Sequence, residues 1–172
     1  IGIAEAWLWL LFNLLELLSS STEWTVIFMK LSFIPLMLLP PTLVWLGYAF
    51  IGDEKNKVAR YLFVPFLVLI VVMLTNNLHS WFWSEYHFTQ YGSLLAIRNS
   101  YGPLFYLYIL GAYAILFFGV GLLLANLVNI AKPYRGKATL SIILIGLTLF
   151  WNVAYVMGII PLQKDFSPVV YN

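Results

Sequence analysis

Apolar runs long enough to cross a bilayer alternate with short polar breaks along almost the whole chain. Crossing the hydrocarbon takes about 20 helical residues, and five runs approach or exceed that length: 3–18, 24–51, 61–81, 103–131 and 138–160. The first ends at Ser19-Ser20-Ser21. The second contains Pro35 and Pro40-Pro41, which lack backbone donors, so an interruption or kink is expected there. A polar loop, 52–60, separates the second run from the third. Residues 82–102 mix aromatic and polar side chains and are expected to form a loop with a short interfacial helix. The pattern predicts an all-α, polytopic membrane bundle of about five helices, making one domain over residues 1–172.

Composition strengthens this reading. Of 172 residues, 62% are hydrophobic and 9% charged, with mean hydropathy +0.90; soluble domains are roughly a quarter charged. A globule this small cannot hide so much apolar surface from water, so the bilayer is its solvent. The chain contains no Cys, which excludes disulfides and thiolate metal sites. The net charge of +2 does not point to nucleic acid, and its distribution says more. Six of the nine Lys and Arg fall in two short loops: Lys55, Lys57 and Arg60 in one, Lys132, Arg135 and Lys137 in the other. The positive-inside rule puts loops 52–60 and 132–137 in the cytoplasm of a multi-pass plasma-membrane protein. Aromatic residues at Trp24, Trp81-Phe82-Trp83 and Tyr101 then mark the outer side, where they read chiefly as headgroup anchors. The chain begins at Ile1 without Met and stops at Asn172 as a new apolar run opens, so it reads as a fragment of something longer.

Polar groups inside a membrane are costly and carry the functional signal. Glu5, Trp9, Asn13 and Glu16 recur on one face of the first helix; Asn76 and His79 are three apart, as are Asn152 and Tyr155. Given the predicted orientation, Glu16, Lys30, Asn76, His79 and Asn152 share the outer half of the bilayer. They outline an outward-facing polar pocket, capped by Arg98, in which Glu16 and Lys30 would pair. The same groups read equally well as interhelical glue. No catalytic site is expected: there is no Gly-rich phosphate loop, no HExxH and no nucleophile elbow. His79 and His87 are separated by a helix end and make a poor two-His metal or haem site, so no metal and no cofactor is expected. Asp53 and Asp165 lie in loops, against intramembrane proteolysis, and the last two helices offer no Schiff-base Lys. Gly111, Gly119, Gly121 and Gly146 suit close helix packing.

The stretch Thr75-Asn76-Asn77-Leu78-His79-Ser80-Trp81-Phe82-Trp83 resembles the TN-x-x-H-x-x-[FW]-W signature of the N-terminal seven-helix region of bacterial and archaeal sensor histidine kinases. Leu15-Glu16-Leu17 is similar to that family's LE segment. The residues from Asn152 to Gly158, then Pro161 and Asp165-Phe166-Ser167-Pro168, resemble its closing segment. Pro40, Pro65, Tyr48 and Gly52 also fall where the family has them. The resemblance implies that the chain corresponds to helices two to six of seven. It also implies a sensory input module of two-component signalling, with a kinase or diguanylate cyclase output lying outside these residues. Homodimerisation is expected from the kinase analogy alone.

The leading expectation is therefore a membrane-embedded sensor of a small ligand or lipid at the outer half of the bilayer. A small transporter component, suggested by the proline-rich second helix, and a structural subunit of a membrane complex are the alternatives.

Overall fold

The structure, a computed structural model, describes residues 2–50, 52–53, 55–91, 94–126, 136, 139 and 143. The predicted helix over 138–160 lies outside the described residues apart from helical backbone at Thr139 and Ile143. The chain divides into two compact units, residues 1–122 and 123–172.

The first two apolar runs form α1 (Gly2–Leu18) and α2 (Thr22–Phe50), joined by the serine break. A connection this short makes the two helices antiparallel neighbours, and they pack along much of their length. The Thr42 hydroxyl donates to Glu5 Oε1 at 2.7 Å, a buried hydrogen bond between the start of α1 and the second half of α2. Pro35, Pro40 and Pro41 are all buried within α2, yet the helix continues through all three. The expected interruption is not a break, because prolines delete individual i→i−4 bonds while tertiary packing holds the helix together.

The third apolar run starts and stops earlier than expected. It opens at α3 (Lys57–Tyr61), where the Asn56 side chain accepts from the Ala59 amide at 3.2 Å as an N-cap. It continues as α4 (Phe63–Leu74) after a one-residue irregularity at Leu62. Pro65 accounts for that irregularity, since its ring crowds the carbonyl four residues back, at Tyr61. The helix ends at Leu74, and residues Asn76–Leu78 form a 3₁₀ turn.

Residues 82–102 are not a loop with an interfacial helix. They form an antiparallel hairpin of β1 (Trp83–Tyr91) and β2 (Leu94–Tyr101), with His87 opposite Arg98 and Tyr86 opposite Asn99. The register slips between Trp83 and Glu85. This bulge leaves Ser84 as the extra residue, and so brings Trp83 and Tyr86, three apart, onto one inward face. Glu85, His87, Thr89 and Arg98 are exposed on the opposite face. The fourth run is α5 (Pro103–Asn126). Within the described residues the stretches Thr22–Phe50, Lys57–Leu74 and Pro103–Ala125 are long and apolar enough to cross a membrane.

One core cluster ties the hairpin root to α2, α4 and α5. Phe82 and Trp83 are buried among Met37, Phe66, Met73, Phe105 and Tyr108. Phe33 and Trp83 meet edge-to-face at 5.0 Å, and Phe82 meets Phe105 the same way at 5.4 Å. Trp24 and Trp81 are exposed, as headgroup anchors would be, whereas Phe82 and Trp83 are core residues. Elsewhere α2 and α5 approach through small residues. A Cβ on Gly47 would come within 2.9 Å of Leu122 Cβ, and one on Gly119 within 3.1 Å of the Val44 nitrogen. Gly111 and Gly121 face open space, and Gly146 lies outside the described residues.

Candidate functional site

The chain between α4 and β1 folds back on itself, and two side chains hold it there. Asn76, 1% exposed, uses its whole amide. Its Oδ1 accepts from the Phe82 and Trp83 backbone amides at 2.8 and 3.1 Å. Its Nδ2 donates to the Trp83 carbonyl at 2.8 Å and to the Tyr86 hydroxyl at 3.2 Å. His79 works beside it. Its Nδ1 accepts from the Trp81 amide at 3.0 Å, which leaves Nε2 to donate to the Val72 carbonyl, 3.1 Å away at the end of α4. Its ring leans on Trp81, centroids 5.0 Å apart. Thr75 returns its hydroxyl to the Val71 carbonyl at 2.9 Å. The chain reverses at Ser80, whose φ of 56° is left-handed. The Thr75, Asn76 and His79 side chains thus form the framework of a turn that aims β1 over the end of α2.

Where the hairpin leans over α2 it leaves a groove of about 480 Å³. One wall is the α2 face carrying Thr22, Glu23, Val26, Ile27 and Lys30, which the helical period stacks in line. Asn77 from the 3₁₀ turn and Tyr86 and Phe88 from β1 complete it. Lys30 is 7% exposed. Its Nζ donates to Asn77 Oδ1 at 2.9 Å and to the Leu74 carbonyl at 3.2 Å, bridging α2 to the end of α4. Among the described residues no carboxylate pairs with it; His87 and Glu85 lie 3.4 Å apart on the exposed face of the hairpin. Burial raises the Tyr86 phenol above its ordinary value, an effect the Asn76 hydrogen bond partly offsets, so it is a neutral hydroxyl at neutral pH. Because its oxygen accepts from Asn76, its own hydrogen is left to donate.

The structure distributes the sequence-predicted residues unevenly. Lys30 lines the groove, and it is held by Asn77 rather than paired with Glu16. Glu16 is half-buried on α1. Asn76 and His79 build the turn beneath the groove, with their polar atoms turned to the backbone. Arg98 is exposed on β2, opposite His87 on the outward face. Asn152 lies outside the described residues. Sequence reasoning missed Glu23, Asn77, Tyr86 and Phe88. Glu23, Ile27 and Lys30 are spaced by four and three, a signal available in the sequence. Tyr86 and Phe88 become visible only once residues 83–101 are read as strands. Among the described residues no cluster of His, Asp and Glu is able to hold a metal ion.

A helical protein with several membrane-length apolar segments and a small hairpin belongs among the polytopic membrane proteins. A family model described as the N-terminal 7TM region of histidine kinase matches residues 3–171. The chain belongs to that family, and is a membrane sensory region of histidine kinase signalling. No curated protein and no solved structure gives a match to it.

Proposed function

We propose that this sensory region reads a ligand at the outer half of the bilayer, through the groove between α2, the 3₁₀ turn and β1. The change is passed along α2 to the basic loop 52–60 on the cytoplasmic side. The observation that carries this reading is the position of the groove. The signature-like stretch from Thr75 to Trp83 supplies Asn77 to its lining, and the buried Lys30 links that residue to α2, the long helix that runs to the loop. A ligand binding there has two ways to bias the helices: it displaces the hairpin from α2, or it alters the Lys30 link to α4. Either shifts a two-state arrangement to the extent that the ligand binds one state better.

The test is to place this region ahead of a histidine kinase output module, reconstitute the protein in vesicles and measure autophosphorylation. Ile27→Trp fills the groove from its α2 wall and is expected to move the basal rate several-fold. Leu67→Trp, on an exposed face of α4, is expected to leave it unchanged. Equal rates in wild type and Ile27→Trp would remove the groove from the signalling path.

A further inference from the structure

Lys30 poses a problem of charge. Lys30 lies within a membrane-length helix and is 7% exposed, a costly placement for an ammonium in apolar surroundings. Its partners are a carbonyl and an amide oxygen, both neutral, and the described residues bring no anion to it. An ammonium has three donors, so one N–H remains, and Lys30 is among the residues that line the groove. Tyr86 also lines the groove, and its hydroxyl, which accepts from Asn76, keeps a hydrogen to donate. Beside these donors the walls are Val26, Ile27 and Phe88, with Ile27 42% and Phe88 40% exposed, so the apolar side opens outward.

We propose that the groove binds an anionic amphiphile, one carboxylate or phosphate on an aliphatic chain, with Lys30 and Tyr86 taking the anion and Val26, Ile27 and Phe88 the start of the chain. The inference rests on the reading of the groove as a sensory site and narrows its ligand. Charge complementarity selects the head group, and the open apolar wall selects a chain that continues into the lipid. Glu23 adds a constraint. It is exposed at the mouth, seven residues before Lys30 and so about 10 Å along the helix axis. At that separation, about one Debye length, its repulsion is only partly screened for one charge at Lys30. It acts fully on a second charge at the rim, so a singly anionic head fits better than a polyanion. A free fatty acid and an acidic phospholipid share this chemistry.

The experiment uses the chain in phosphatidylcholine nanodiscs, titrated with dodecanoate and with dodecanol, subtracting partition into empty discs. Saturable binding of dodecanoate is expected, with dodecanol weaker by about tenfold or more, the loss of a charge-assisted hydrogen bond. Lys30→Met is expected to weaken dodecanoate by a similar factor. Asn77→Asp does the same in a chain that keeps its lysine contact, by placing a carboxylate on the ammonium, and it guards against Lys30→Met failing to fold. Tyr86→Phe should cost several-fold, and Glu23→Gln should tighten binding. Equal binding of dodecanol and dodecanoate, or dodecanoate binding that ignores both Lys30→Met and Asn77→Asp, overturns the proposal. Phosphatidylglycerol added to the discs identifies the source: displacement of dodecanoate assigns the site to a bilayer lipid, and indifference assigns it to a free acid. If Ile27→Trp alters autophosphorylation while the anion results fail, the sensory reading survives without this ligand. If anion binding follows Lys30 while Ile27→Trp is silent, the site is a lipid-binding site outside the signalling path.

Discussion

Two adjacent asparagines do opposite work. Asn76 is sealed in the core with four hydrogen bonds, whereas Asn77 is exposed and offers one oxygen to Lys30. The consequences of removing them should differ accordingly. Asn76→Ala strands the Phe82 and Trp83 amides in a dry environment, at about 1–3 kcal/mol for each unsatisfied group. Asn77→Ala leaves Lys30 its bond to Leu74 and lets water replace the lost acceptor, so it should cost about 1 kcal/mol or less. Thermal unfolding of both variants in detergent, followed by circular dichroism, checks the ordering; equal losses would contradict the assignment of Asn76 to the framework. The spacing of Asn76 and His79 is legible in the sequence, but a three-residue interval fits an α-helical face and a 3₁₀ turn alike. Where the helix stops decides between them, and helix ends depend on capping contacts made with residues further along, here Phe82 and Trp83.

The hairpin is the element that apolar patterning hides. Residues 83–91 are rich in aromatics and sit between two spans, a composition that fits interfacial anchors. The period-two alternation that marks a strand is upset by the bulge at Ser84, which puts Trp83 and Tyr86 on one face. The usable signal is the two-residue Gly92-Ser93 step between alternating runs. The membrane-length helices, by contrast, are written directly in the hydropathy, because the bilayer demands length and apolarity and little else. The hairpin closes on α5 through a tight junction. The Gly102 amide donates to the Phe82 carbonyl at 3.0 Å and the Leu104 amide to the Trp81 carbonyl at 3.1 Å. A Cβ on Gly102 would sit 2.2 Å from the Trp81 carbonyl oxygen, a backbone atom that cannot turn aside. Gly102→Ala should therefore cost about 3 kcal/mol or more. Gly111→Ala, where the added methyl meets nothing within 4 Å, should gain up to about 1 kcal/mol from helix propensity. Melting temperatures that move in the same direction for both variants would refute this account of the junction.

At the scale of the whole chain, function turns on which side of the membrane the hairpin faces. At 29 residues α2 is roughly 43 Å long, more than the hydrocarbon core of about 30 Å, so both its ends reach the interfaces. One end meets the groove and the hairpin, and the other meets the loop bearing Lys55, Lys57 and Arg60. The positive-inside rule predicts that loop in the cytoplasm and, with it, the groove in the outer leaflet. The rule acts through basic residues close to the spans, and these three lie within the first turns of the Lys57–Leu74 span or just before it. The absence of native cysteine makes the test direct. Thr89→Cys, on the exposed face of β1, should react with a membrane-impermeant maleimide in intact cells. Lys57→Cys, at the start of α3, should react only after permeabilisation. The reverse pattern would put the groove at the cytoplasmic leaflet, where Lys30 would meet a different pool of anions and sensing of an external signal at this site would be ruled out.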